Sequence, residues 1–306
     1  MRNTYLQEVY NLAAKDRNVL SLVADNGMIV YDDFRRDFPG QYFNFGISEG
    51  HMINAAAGMA SCGKIPFAYT IGAFLAYRSF EFIRLDVCLQ KLNVKIAGIG
   101  AGMSYGCLGP THHATEDLAV LRVLPNLTLL SPATAKEMKR LVNYAYELEG
   151  PVYIRLGNNL KQELYTEEME VIPGKGTVLR EGADIVVFST GDITYHVMEA
   201  AKRLEKDGIG ACVASMHTIK PFDKNFVAEA GRKYRQIFTV EEHSVIGGLG
   251  GAVAEVLAES GCSAKLKRIG LNDVYAYGYG SQEQVRSANG LDAEGIYQTI
   301  KKCVSS

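Results

Sequence analysis

Short runs rich in β-branched residues alternate with helical patterns along this chain, and that alternation limits its fold more than any other feature. In the first half, runs at 18–23, 65–69, 94–99, 127–130 and 152–155 read as strands. Between them, 49–62, 74–92, 115–122 and 135–147 carry apolar residues at helical spacing. Repeated strand–helix units of this length predict a parallel, doubly wound sheet with right-handed crossovers. The polar stretch 158–175, with its Pro173-Gly174 turn, reads as a linker. The alternation then resumes, with strands expected at 184–189, 211–216 and 236–241 and helices at 195–207 and 250–260. The expected class is α/β, with one doubly wound domain over 1–165 and a smaller one over 176–306.

Composition excludes several function classes. The net charge of -2 gives no electrostatic reason to expect nucleic acid or an anionic membrane as partner. The 6 cysteines form no C-x-x-C pair and read as reduced thiols, not as a disulfide framework or zinc site. Met1 to Tyr5 leads into an amphipathic segment with no signal-peptide pattern, and no apolar run nears the ~20 residues that span a bilayer. A soluble cytoplasmic protein is expected.

Four segments could carry chemistry. Glu49 stands at a strand-to-helix transition, in Gly46-Ile47-Ser48-Glu49-Gly50-His51. It is either a charge partner of a helix N-terminus or a carboxyl group in a dry site, able to hold a proton near neutrality. Phe74, Tyr77, Phe80 and Arg84 follow helical spacing, which suits a core stripe or a flat slot for a heteroaromatic ring. The loop from Gly98 to His113 has glycines at 98, 100, 102, 106 and 109 but not the GxGxxG spacing of a dinucleotide site. It ends in His112 and His113, which read as satisfied loop residues or as proton-transfer and hydroxyl contacts. No carboxylate or cysteine lies at ligand spacing beside them, so a metal site is not expected. Last, Glu241-Glu242-His243-Ser244 runs into glycines at 247, 248, 250 and 251, either a structural turn or an anion site at a helix N-terminus.

In order, these segments resemble the transketolase family over nearly the whole chain. Gly46 to Glu49 is similar to that family's Gly-x-x-Glu segment, and 78–84 resembles its aromatic pyrimidine-binding helix. Gly109-Pro110-Thr111-His112 with Glu116-Asp117-Leu118 resembles its substrate loop, and 241–251 its C-terminal-domain signature. The family has diphosphate-binding, pyrimidine-binding and C-terminal domains, and this chain resembles the last two. The family's Gly-Asp-Gly diphosphate motif is absent, since Gly191-Asp192-Ile193 lacks the third glycine.

The resemblance implies the C-terminal subunit of a split transketolase that transfers a two-carbon ketol unit. Its partner would be an N-terminal subunit carrying the diphosphate domain and the magnesium ligands, in an α2β2 assembly, with thiamine diphosphate between the chains. Glu49 would hydrogen-bond the aminopyrimidine ring, which favours the imino tautomer that deprotonates the thiazolium. Phe74, Tyr77, Arg78 and Phe80 would complete the cofactor site, and His112 would act catalytically and on substrate. Arg2, Gly100, Leu108, Arg155 and Asn158 fall at or near the family's substrate positions. Several depart from its pattern: Gly100 stands where a histidine is usual, Leu108 where an aspartate is, and Asn158 where a phosphate-binding arginine is expected, with Arg155 and Lys161 close in sequence. An altered donor sugar follows, sulfonated, branched, deoxy or unphosphorylated. The second domain is expected to serve assembly. Competing readings are the beta subunit of a 2-oxo-acid dehydrogenase and a non-catalytic scaffold of the same fold.

Overall fold

The computed structural model describes residues 1–27, 29–157 and 163–305. It opens with α1 (Arg2–Ala13), β1 (Val19–Val23), α2 (Asp32–Asp37), β2 (Tyr42–Asn44), α3 (Glu49–Ser61) and β3 (Ile65–Ile71). Then come α4 (Gly72–Arg78), α5 (Phe80–Phe82), a π-helical segment at Ile83–Cys88 and β4 (Lys95–Ile99). This half ends with α6 (Asp117–Arg122), β5 (Thr128–Leu130), α7 (Ala135–Glu147) and β6 (Val152–Leu156). These strands pair in parallel in the order β5-β6-β4-β3-β1-β2. β1, β4, β5 and β6 are buried along their whole length, as expected where helices cover both faces. Successive residues serve opposite cores: Leu20 and Leu22 of β1 join a cluster with Met52, Ile53 and Ala56 of α3, while Val19 and Val23 face a cluster with Tyr5 and Val9 of α1.

The second half contains β7 (Thr177–Arg180), β8 (Ile185–Thr190), α8 (Thr194–Lys206), β9 (Ala211–Ser215), β10 (Thr218–Lys220) and α9 (Lys224–Lys233). It continues with β11 (Gln236–Ser244), α10 (Leu249–Glu259), β12 (Lys265–Leu271), α11 (Gln282–Ala288) and α12 (Ala293–Val304). Its sheet runs β12-β11-β8-β9-β7, parallel except for the antiparallel edge strand β7. β10 leaves that sheet and pairs antiparallel with β5, so the second half supplies an edge of the first sheet.

One expectation needs correction. The helix expected over 74–92 is broken: α4 ends at Arg78, and Ser79 caps it with φ -97 and ψ 9. Beyond it, the N–H of Leu89 donates to Arg84 O at 3.0 Å, the i→i−5 spacing of a π-turn. The described part of the linker is also tied down, because the Tyr165 hydroxyl donates to Glu137 Oε1 at 2.5 Å. Ser215 of β9 donates to that same oxygen at 2.6 Å, joining linker, α7 and second sheet at one buried carboxylate. Among the described residues, no helix is long and apolar enough to cross a membrane.

Candidate active site

Glu49 is the first residue of α3, where a carboxylate gains from the helix dipole. It is only 4% exposed, so it is a buried acid as well as a helix charge partner. Its described partner is Arg78, whose Nη1 lies 3.4 Å from Glu49 Oε2, the long end of a hydrogen bond. Arg78 closes α4, one turn after Phe74, and its guanidinium lies over the Phe74 ring, 4.5 Å from the centroid. Phe74 in turn meets the His112 imidazole edge to face, at 5.0 Å and 63°. The fold thus gathers Glu49, Phe74, Arg78 and His112 from three separate segments. A buried acid, a flanking cation and aromatic rings at this spacing suit a flat nitrogen heterocycle.

Tyr77, expected as a ring wall, is tied through its hydroxyl to the segment after the loop. Its hydroxyl donates to Glu116 Oε2 at 2.7 Å and accepts the N–H of Glu116 at 3.1 Å. Burial, with Asp117 and Glu116 nearby, pushes this phenol well above its ordinary range, so it remains a donor. Phe80 is half-buried against the core cluster beneath α3, beside Phe82. Phe82, rather than Phe80, covers Gly50 next to Glu49: a Cβ there would lie 2.7 Å from Phe82 Cε2. Glu116, Phe82 and Tyr105 are the site residues that sequence reasoning missed. All three lay inside segments it had singled out, Tyr105 in the glycine-rich loop, and Glu116 and Phe82 four residues from His112 and from Arg78.

The glycine-rich loop brings its end to the same place. Gly100 has φ +86, a conformation that favours glycine, and a Cβ on it would overlap the Tyr105 ring. That ring stands 6.1 Å from the His112 imidazole at 72°. Burial raises the Tyr105 phenol, and the charge of Arg2 opposes the rise, which puts Arg2 within electrostatic reach of the loop. Arg2 Nε is buried with no hydrogen-bond partner among the described residues. His112 Nδ1 lies 2.9 Å from Thr111 Oγ1, and Leu108 is 48% exposed on the outer side of the loop. His113 is buried, and burial lowers its affinity for a proton. No group of three or more His, Cys, Asp or Glu that could hold a metal ion occurs among the described residues.

Arg155 must be removed from the substrate set. It is 2% exposed, and its Nε donates to Asp117 Oδ1 and Oδ2 at 3.1 and 2.9 Å. Its Nη2 donates to the carbonyls of Ala114 and Glu242 at 2.7 and 3.1 Å. The guanidinium is spent on an ion pair inside the first half and, through the Glu242 carbonyl, on a hydrogen bond to the second. Asn158 and Lys161 lie outside the described residues. Of the two readings of the segment before α10, the structure has the structural turn: Glu241 Oε2 and Oε1 accept the N–H groups of Leu249 and Gly250 at 2.7 and 2.8 Å. The helix N-terminus therefore carries its anion within the chain.

Comparison with known proteins fits this geometry. The family model "Transketolase, pyrimidine binding domain" matches residues 1–162, and "Transketolase, C-terminal domain" matches residues 174–296. The chain belongs to the transketolase family. It is 33% identical over 305 residues to one of the subunits of an apulose-4-phosphate transketolase from Phocaeicola vulgatus, covering 99% of this chain and 97% of that one. It is 35% identical over 297 residues to a 6-deoxy-6-sulfo-D-fructose transketolase subunit of Clostridium sp. (strain MSTE9), covering 97% and 92%. Among solved structures, a split-gene transketolase described as an inactive β4 tetramer superposes with a TM-score of 0.90 at 41% identity, over 99% of this chain and 98% of that one.

Proposed function

We propose that this chain is the C-terminal subunit of a two-chain transketolase, moving a two-carbon ketol unit from a ketose to an aldose. The observation that carries the reading is Glu49, a buried carboxylate in reach of Arg78 and beside a ring cluster that ends in His112. When bound, thiamine diphosphate supplies the carbon nucleophile for cleaving and remaking the bond next to the ketose carbonyl. Glu49 holds a proton between its carboxyl and the aminopyrimidine ring nitrogen. Phe74 walls that ring, and Arg78 lies between the acid and the Phe74 face. Tyr77 and Phe80 act one step back, Tyr77 by fixing Glu116 and Phe80 by packing α5 onto the core. His112 is steadied by Thr111 at Nδ1 and presents its other nitrogen to substrate hydroxyls. The ketose C2–C3 bond breaks, a shorter aldose leaves, and the two-carbon fragment bonds to the carbonyl carbon of the acceptor.

The partner is an N-terminal subunit that supplies the diphosphate and Mg2+ ligands, with two copies of each half. The split-gene relative, an inactive tetramer of β chains, is in keeping with a half that needs its partner. The donor is an altered sugar: Arg2 remains for an anionic end, while Tyr105 fills the space above Gly100, Leu108 is apolar and Arg155 is withdrawn. Relatives named for apulose 4-phosphate and 6-deoxy-6-sulfo-D-fructose point the same way.

The test is turnover by the assembled pair with thiamine diphosphate and magnesium, across phosphorylated, sulfonated, branched and unphosphorylated ketoses. Cofactor-dependent transfer with xylulose 5-phosphate as a poor donor is expected. Xylulose 5-phosphate as the best donor would overturn the altered-donor part. Reduction of a lipoyl carrier by a 2-oxo acid would overturn the whole.

A further inference from the structure

Three glycines of the loop that ends in His112 lie against the second half of the chain. A Cβ on Gly102 would stand 2.5 Å from Glu242 Oε1, and one on Gly106 would stand 2.8 Å from the carbonyl oxygen of Gly280. A Cβ on Gly109 would overlap the Tyr279 ring. Gly102 and Gly109 also have φ of +58 and +74. The loop is therefore glycine-rich at 102, 106 and 109 because another part of the same chain presses on it there.

The pressing groups are themselves fixed. Glu242 is 1% exposed and accepts the N–H of Met103 at 2.5 Å. Gln282 Nε2 donates to both of its oxygens, at 3.0 and 3.2 Å. Arg286 donates from Nε to Glu242 Oε2 at 2.5 Å, and its Nη2 lies 3.0 Å from Asp192 Oδ1. The Gly280 N–H donates to the carbonyl of Gly106 at 3.3 Å. The residue after it, Ser281, opens α11 with a capping box to Gln284. The grip then passes to the histidine locally, since the N–H of His112 donates to Gly109 O at 3.0 Å.

We infer that the second domain positions the substrate loop, and that Glu242 and Tyr279 are positioning residues for His112. Glu242 anchors the start of the loop and Tyr279 its end. Neither is a catalytic residue. The inference rests on the reading that His112 meets substrate, and it gives the C-terminal domain a task beside the assembly role expected of it.

Tyr279→Ala is the first test, because Tyr279 is 72% exposed and its loss leaves the core intact. Two readouts separate the inference from the functional reading. In the isolated chain, amide exchange at 103–112 is expected to quicken roughly tenfold or more while the rest of the chain is unchanged. In the assembled pair, donor KM is expected to rise or kcat to fall by roughly ten- to a hundredfold, with thiamine diphosphate affinity within about twofold of the unsubstituted pair. Tyr279→Phe is expected to match the unsubstituted chain, since a ring lies on Gly109. Glu242→Gln is expected to act in the same direction with faster exchange at Met103. Unchanged loop exchange in Tyr279→Ala overturns the inference, whatever becomes of Glu242→Gln. If the unsubstituted pair transfers no ketol unit, the functional reading fails, and loop exchange alone decides the positioning claim.

Discussion

Replacing Arg155 tests whether the fold has withdrawn it from substrate. Arg155→Met removes a cation that is 2% exposed and leaves Asp117, at 0% exposure, without its counter-charge. The substitution deletes two charged hydrogen bonds to Asp117 and two to carbonyls, from Ala114 and Glu242. Among the described residues, Asp117 keeps the Tyr153 hydroxyl at 2.9 Å and a distant His243, 4.0 Å away. Charged hydrogen bonds taken singly are worth ~1.5–3 kcal/mol, but these share one partner and do not add. Breaking a buried pair from one side costs about 3–5 kcal/mol, and that range applies here. With a urea slope of ~1–3 kcal/mol/M, the unfolding midpoint of the isolated chain drops by roughly 1 M or more. Arg155→Met with Asp117→Leu removes both charges and recovers most of that loss, because no lone ion stays buried. A midpoint within about 0.3 M of the unsubstituted chain, together with a raised donor KM in the assembled pair, would refute the structural assignment and return Arg155 to the substrate.

Further outcomes follow from the buried bases. His113, His196 and His217 all bind protons less readily than an ordinary histidine, first because of burial. The unfolded chain binds more protons than the native one as pH falls below about 6.5, so stability is lost in that range and is fully present above it; thermal unfolding midpoints between pH 5 and 8 should show this slope, and a flat profile would contradict it. Lys95, buried in β4 with its amino group on the carbonyls of Leu148 and Gly150 at 2.7 and 2.8 Å, is pushed down to about 7 by burial, with Glu149 opposing. Between about pH 7 and 10.5 the unfolded chain carries that proton and the native chain does not, so stability rises with pH there by up to ~5 kcal/mol. Lys95→Met is expected to flatten that rise, and an unaltered slope would show that Lys95 stays charged in the fold.

The readable and unreadable parts of the chain differ in physical origin. Most strands were legible as short apolar runs because helices cover both faces of the sheets, whereas β2, β7 and β12, which are partly exposed, were not; α3 was legible because Met52 and Ala56, and Ile53 and Ala57, recur four residues apart on its buried face. The break at Ser79 was not, since the aromatic period of 74–84 runs through it and the π-turn is set by backbone hydrogen bonds that any sequence can make. β10 was hidden because it is short and pairs with a sheet from the other half. In the site, Glu49 and Phe74 stood out through local motif and period, whereas Arg155 misled: being near a substrate position in sequence says nothing of Asp117, which reaches it only through the fold. The loop glycines were visible as glycines, but Glu242, Gly280 and Tyr279, the groups that press on them, lie more than a hundred residues away in the chain.

One measurement reaches the central claim most directly: ketol transfer and cofactor binding by the assembled pair carrying Glu49→Gln. The account predicts that calorimetric binding of thiamine diphosphate with magnesium persists while transfer falls by roughly 10²–10⁴-fold, the usual worth of a positioned acid. Transfer at the unsubstituted rate would contradict it, and would leave the buried carboxylate as nothing more than a charge at the start of α3.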